Sequence, residues 1–425
     1  MTEAPPDDSA EKSPVPTPDL PVVEEIQAAI LDGLLAVPQR KAEGKPVVWT
    51  SVVIPQAIFH AMGVPAMYQE LLGGYVSIFR LSPKYCQAAE ASGLPRDVCA
   101  VHRCAVGVAC GDDRDYFFEQ TFVPPDLVVG TNFPCISESR SCLHVAERYR
   151  CPVYVVDLPA NSWGESIPEH AIAYGAEQLR GLVRFLEGFG YRLDLDRLKH
   201  QVALTKRVNT LMAEIDRLKS AVPSPMRAYD NVIATTAPLA LPIDERLVGY
   251  FERLRDELAD RVARGAGVVD HERLRLLWIG IPPLCDFELL NYPEKHGAVV
   301  VKNMLEFLTG FTLDPDLIDP DRPFESLAHA QIASPANPLI QTTIDYFVRA
   351  ARQYRADGVV SVVKRTCGFI PAMQRMIKDA IQRETGLPSV IFDLDGVDQR
   401  EYDAAATQEH LDTFVETLLA RKGRN

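Results

Sequence analysis

Positive charge is scarce in this sequence. Its 425 residues carry 44 Lys and Arg against 58 Asp and Glu, a formal net charge of −14. That balance excludes the basic surface by which proteins hold nucleic-acid phosphates or anionic membranes. Long apolar runs are also missing, and none reaches the ~20 residues of a bilayer-spanning helix. The N-terminus shows no basic segment followed by an apolar core, so no secretory signal is expected and the cytoplasm is the expected location. There is no Gly-x-x-x-x-Gly-Lys-Ser/Thr run, and no Gly-x-Gly-x-x-Gly follows the first predicted strand. Nucleotide chemistry, where it is needed, must therefore come from another protein. No Cys-x-x-Cys pair and no repeat of fixed period occurs.

What is present is enough apolar material, 47% of the residues, for two or three packed cores. Residues 1–21 hold six prolines and almost no bulky apolar side chain, which predicts a disordered leader. A helix is expected over Val23–Leu35. An N-terminal α/β lobe is expected over 22–164. Its predicted strands are Lys45–Val53, Val64–Met67, Asp126–Thr131 and Cys151–Leu158, and its helices include Gln56–Met62, Pro83–Ser92 and Ser139–Tyr149. From 165 to 267 the pattern becomes helical. Leu195, Leu198, Val202, Val208, Leu211, Ile215 and Leu218 form one apolar stripe, the mark of a packing helix. The alternation returns over 268–425. Strands are predicted at Leu274–Ile281, Ala298–Lys302, Gly358–Lys364 and Ser389–Leu394, with helices at Pro338–Arg355, Pro371–Glu384 and Leu411–Ala420. The expected fold is two flavodoxin- or Rossmann-like α/β lobes with parallel sheets and a helical segment between them.

There are nine cysteines, and disulfides are not expected in a large cytosolic chain. Three share one setting. Cys135 and Cys367 each follow a predicted strand and precede a helix, and Cys99 follows Gly93-Leu94-Pro95 at the start of another helix. Ligands of open α/β sheets bind beyond the carboxyl ends of the strands. Helix N-termini there offer free N–H groups that favour thiolates and anionic clusters. Gly368 beside Cys367 would let the backbone approach a cluster closely. The three lie far apart in sequence, so spacing alone leaves two readings open: a metal site, or small buried hydrophobes.

The run Leu94-Pro95-Arg96-Asp97-Val98-Cys99 resembles the first cysteine segment of the family of 2-hydroxyacyl-CoA dehydratase D-components and benzoyl-CoA reductases. Asp126-Leu127-Val128-Val129 through Cys135 resembles the second, and Val156-Asp157-Leu158-Pro159 the strand end after it. Gly280-Ile281-Pro282-Pro283 with Gly297-Ala298-Val299-Val300 is similar to the opening of the second lobe. Lys364 and Cys367-Gly368 resemble the third cysteine segment. Gly386-Leu387-Pro388, Asp393, Asp395 and Arg400 resemble the tail. The likeness runs from about Lys45 to Leu419, and the order of the motifs is more specific than any one of them. It implies a [4Fe-4S] cluster with one open iron, held by Cys99, Cys135 and Cys367 in the cleft between the lobes. It also implies a homologous sister subunit, an ATP-dependent iron–sulfur activator and an acyl-CoA substrate. The activity implied is a dehydratase working through a ketyl radical anion. The alternatives are an ATP-dependent aryl-CoA reductase subunit and a cluster-bearing, non-catalytic partner.

Further residues have two readings. Cys104 and Cys110 stand near Cys99 and could extend the cluster, as in double-cubane relatives, or only pack a helix. Cys86, Cys142, Cys151 and Cys285 lie in or beside core elements, where packing is expected. His102, three residues after Cys99, could point toward the cluster as a proton donor or sulfide partner, or be structural. Ser51 and Gln56 close the first strand and are expected to face the site. The turn Ile54-Pro55-Gln56-Ala57 resembles a family turn that often carries a carboxylate. Gln56 and Ala57 stand there instead, so no general base is read at that position and the non-catalytic reading stays open.

Overall fold

The computed structural model describes residues 16–164, 166–308, 314–337, 340–368 and 370–423. Residues 1–15 of the expected leader, and 338–339 at the start of one expected helix, lie outside the described residues. In the first lobe the strands are β1 Val48–Thr50, β2 Ala66–Tyr68, β3 Leu127–Thr131 and β4 Val153–Val156. The helices are α1 Pro21–Ala42, α2 Gln56–Met62, α3 Gln69–Ile78, α4 Ser82–Ala91, α5 Ala100–Cys110, α6 Tyr116–Thr121 and α7 Ile136–Tyr149. Four helices follow: α8 Glu169–Glu187, α9 Leu195–Lys219, α10 Ala228–Ala240 and α11 Glu245–Arg264. The second lobe holds β5 Leu274–Ile279, β6 Ala298–Asn303, β7 Gly358–Lys364 and β8 Ser389–Leu394. Its helices are α12 Glu288–Asn291, α13 Leu305–Leu308, α14 Pro323–Ala333, α15 Ile340–Gln353, α16 Ile370–Thr385 and α17 Ala404–Lys422.

Each lobe is an α/β unit around a four-stranded, all-parallel sheet, ordered β2-β1-β3-β4 and β6-β5-β7-β8. Strands such as β3, β5 and β6 are buried at every residue. That is why they read as continuous Val- and Leu-rich runs rather than alternating ones. In both sheets the first strand lies between the second and the third. Connections leave it in opposite directions, so a crevice opens at the carboxyl ends of the two central strands. The crevices are bounded by the chain after β1 and β3 in one lobe, and after β5 and β7 in the other.

The strands lie where the Val-rich runs place them: β1, β3, β4 and β5 are shorter than expected, β7 and β8 match, and β2 and β6 end one residue later. Three differences have physical causes. The helix expected from Ser139 begins at Ile136, so Cys135 is its capping residue. Leu195, expected in the apolar stripe, is 49% exposed because it opens α9, whereas Leu198, Val202, Val208, Leu211 and Ile215 are buried. Helix α1 shares its core with α9, α10 and α11. Its start is fixed from there: the Asp19 and Leu20 N–H groups donate to the Asp230 carboxylate at 3.0 and 2.9 Å, and Leu20 is buried.

Candidate functional site

Both crevices meet in one cavity of about 240 Å³. Val52 and Val53 reach it from the end of β1, Pro134 and Cys135 from the end of β3, Ile281 and Leu284 from the end of β5, and Cys367 from the end of β7. Cys99 completes the set. The three cysteines separated in sequence therefore line one space. The Coulomb effect of Cys99 and Cys367 on Cys135 reflects how near their sulfurs come.

Each thiol is placed by a local device. Cys99 caps α5, and the Ala100 N–H behind it donates to Thr366 Oγ1 at 3.1 Å, tying the first lobe to the turn after β7. Cys135 stands at the N-cap of α7, where its thiol faces the first turn of the helix. Cys367 sits in a turn closed by its own N–H to the Lys364 carbonyl at 3.0 Å. A Cβ added at Gly368 would meet no protein atom within 4 Å.

Lys364, wholly buried at the end of β7, points its ammonium at Cys99 Sγ at 2.9 Å. Burial pushes the Cys99 thiol up. Lys364 and His102 outweigh it and leave that thiol below its ordinary value. Burial likewise opposes the Lys364 charge, but Cys99, Asp395 and Cys367 hold the ammonium well above its usual range. Cys135 behaves oppositely. Burial first, then Glu138 and the other two thiols, push it up. Three soft thiols gathered at strand ends, two of them capping helices and one facing a lysine, are donors suited to a positively charged, thiophilic centre.

Beside the thiols lies a second group. Glu70, His102 and Glu138 each bring one polar atom within 4.8 Å of the others, and all three line the cavity. Glu70 comes from the first turn of α3, just after β2, and Glu138 from the first turn of α7. Glu70 is oriented by Ser51 Oγ at 2.7 Å and the Val52 N–H at 3.0 Å. Glu138 accepts from Gln69 Nε2 at 3.0 Å and stands 3.3 Å from His102 Nε2. His102 Nδ1 has no partner among the described residues. Burial raises both carboxyls above the usual range. Glu70 is raised further by the Glu138 charge and by donating a hydrogen bond to it. Both carboxyls therefore favour the protonated form more than an exposed glutamate does, Glu70 the more strongly.

Ser51 and His102 both reach this group. Gln56 does not: its amide donates to the Leu239 carbonyl, and neither it nor Ala57 lines the cavity. Glu70 and Glu138 bring carboxyls to the cavity. Neither carried a signal in the sequence, apart from their places three residues after a predicted strand and three after Cys135. Cys104 lies with its sulfur 3.5 Å from that of Cys86, and Cys110 faces Ser92 and Arg148. Neither lines the cavity, nor do Cys142, Cys151 and Cys285.

Two parallel-sheet lobes with one cysteine-lined crevice between them define a protein class, and comparison with known proteins gives it a family. The chain belongs to the family described as 2-hydroxyglutaryl-CoA dehydratase, D-component, which matches residues 51–418. That places it among enzyme subunits. It is similar to the lactoyl-CoA dehydratase subunit alpha of Anaerotignum propionicum, 25% identical over 405 residues, covering 90% of this chain and 93% of the relative. It is similar to the (R)-phenyllactyl-CoA dehydratase alpha subunit of Clostridium sporogenes, at 22% over 400 residues, 90% and 92% of the two chains. It also resembles a benzoyl-CoA reductase subunit of Thauera aromatica, at 23% over 341 residues, 78% of each. Among the described residues no helix is long and apolar enough to cross a membrane.

Proposed function

We propose that this chain is the cluster-bearing subunit of a 2-hydroxyacyl-CoA dehydratase, which activates its thioester substrate as a ketyl radical anion. Cys99, Cys135 and Cys367 would hold a [4Fe-4S] cluster with one open iron. The observation that carries the reading is the meeting of these cysteines with the Glu70 and Glu138 carboxyls in one apolar cavity. When bound, the cluster supplies a low-potential electron and a Lewis-acidic iron to the thioester. A homologous sister subunit and an ATP-hydrolysing iron–sulfur activator complete the system.

The chain's own residues perform the acid–base part. Dehydration removes a proton from C3 and hydroxide from C2. The Glu138 carboxylate accepts the C3 proton, and the Glu70 carboxyl delivers its proton to the departing hydroxide, which leaves as water. The proton gained by Glu138 then passes along the hydrogen bond to Glu70, and the pair is restored. Carboxyls raised by burial are suited to both roles. Ser51 and the Val52 N–H fix Glu70, Gln69 and His102 fix Glu138, and apolar walls exclude water. This pair supports the catalytic reading over that of a non-catalytic partner, which drew on Gln56 and Ala57.

The likeness to a benzoyl-CoA reductase chain favours a second reading, in which the same carboxyls protonate a reduced ring. One anaerobic assay of the complex with activator, ATP and reductant separates the readings. Many turnovers of a 2-hydroxyacyl-CoA per ATP support the dehydratase. ATP consumed in proportion to dienoyl-CoA formed supports the reductase. Turnover of neither with the cluster intact contradicts both and leaves the accessory subunit.

A further inference from the structure

The family is described by a substrate with a second carboxylate, yet the cavity offers such a group nothing. Its wall beyond the thiols and the Glu70–Glu138 pair is hydrocarbon, with Tyr75 and Ile78 from α3, Val232 and Ile233 from α10, and Leu284 and Phe287 after β5. Among the described lining residues none is Lys or Arg. The one basic side chain among them, His102, is turned to Glu138 at 3.3 Å. The ammonium of Lys364 is committed to Cys99 and does not line the space. A second substrate carboxylate would be desolvated without a partner and would face a carboxylate of its own sign. The apolar surface of that wall suits a ring or a branched chain.

We propose that the acyl group this chain accepts is an uncharged hydrocarbon, branched aliphatic or aryl, and that the α3, α10 and Leu284–Phe287 wall selects against acyl groups ending in a carboxylate. The inference rests on the reading of this cavity as the acyl-CoA site and adds the substrate class to it. Discrimination follows the usual asymmetry of such pockets. One methylene more or less changes affinity modestly, whereas an unpaired buried charge is rejected by roughly 100-fold or more.

The test is calorimetric titration of the cluster-loaded complex, isolated without oxygen, with saturated analogues that lack the 2-hydroxyl and cannot eliminate water. The probes are 4-methylpentanoyl-CoA, 3-phenylpropanoyl-CoA, glutaryl-CoA and free CoA. The first two are expected to bind at least ~30-fold more tightly than glutaryl-CoA, a conservative share of the discrimination expected of such a pocket. Val232→Arg should raise glutaryl-CoA affinity at least ~10-fold while weakening 3-phenylpropanoyl-CoA, as a newly paired charge requires. Where that buried substitution does not fold, half-buried Thr236→Lys on the next turn of α10 makes the same test. Glutaryl-CoA binding as tightly as the hydrocarbon analogues would overturn the inference and leave the acyl-CoA reading standing. So would folded variants that leave the ranking unchanged. If no acyl-CoA binds more tightly than CoA itself, the acyl-CoA reading fails, and the inference with it.

Discussion

At the scale of single residues, the Glu70–Glu138 pair separates catalysis from cluster binding. Glu70→Gln keeps the hydrogen bonds from Ser51 and Val52 within reach but cannot deliver a proton. It should lower turnover by roughly 10²–10⁴ while iron content stays at the parental level. Parental turnover in that variant would remove Glu70 from the mechanism. Lys364 acts on the cluster side. Lys364→Met deletes a buried cation 2.9 Å from Cys99 Sγ, which disfavours the reduced, more negative centre. An EPR-monitored redox titration should place the midpoint lower by on the order of 60 mV, one tenfold step in a one-electron equilibrium. An unchanged or higher midpoint would contradict this role. Cys135 and Cys367 were legible in the sequence because each follows a Val-rich strand, and strand ends are where parallel sheets place ligands. His102 was legible from its spacing to Cys99 on one helix. Glu70 and Glu138 were not, because two carboxylates among 58 acidic residues mean nothing until β2 and β3 bring the first turns of α3 and α7 together.

At the scale of elements, α5 carries Cys99 and His102, and its seat is set by two close helix contacts. A Cβ at Gly73 of α3 would lie 2.0 Å from the Val101 carbonyl oxygen, and one at Gly107 of α5 would lie 1.9 Å from that of Tyr85. Gly107→Ala must push α4 and α5 apart, and should cost about 1–3 kcal/mol in denaturant unfolding. No loss would mean the helices can separate freely. Buried Arg103 reinforces the seat, holding Glu90 of α4 at 2.6 Å and Asp398 of the second lobe at 3.1 Å. This packing was hidden in the sequence. Helix α3 contains Gly73-Gly74, which reads locally as a breaker, and the backbone approach of α5 explains Gly73.

The contact between the helical segment and the second lobe carries a pH-dependent element of its own. Glu294, beside Arg227 Nε at 3.2 Å, is pushed up to about 7, chiefly by burial, and Asp230 to about 6 for the same reason. The folded Glu294 keeps its proton at pH values where the unfolded chain has lost it. Its contribution is therefore present below about pH 4.5 and is lost as pH rises through 7. Glu294→Gln should gain stability over the parent at pH 8 by roughly 2 kcal/mol and gain little at pH 4.5. Paired denaturation curves measure the difference, and an equal effect at both pH values would contradict the assignment.

At the scale of the molecule, the two lobes repeat one topology, so each presents a crevice at the same place in its sheet. The site exists because the crevices face each other. That architecture was legible, since strand periodicity gives sheet type and the helical interruption separates the halves. The facing of the crevices was not, because it depends on contacts between lobes such as Ala100 N to Thr366 Oγ1. The chain is expected to form a stable heteromer when co-expressed with a homologous sister subunit, read by size-exclusion chromatography with light scattering. A lone chain that turns over without partner, activator or ATP would contradict the scheme. The central claim is that Cys99, Cys135 and Cys367 together hold one cubane, and iron content tests it most directly. Protein isolated without oxygen should carry about four irons per chain. Cys99→Ser, Cys135→Ser and Cys367→Ser should each lose most of that iron, while Cys142→Ser and Cys151→Ser keep it. Full iron retention in folded Cys367→Ser protein would contradict the account.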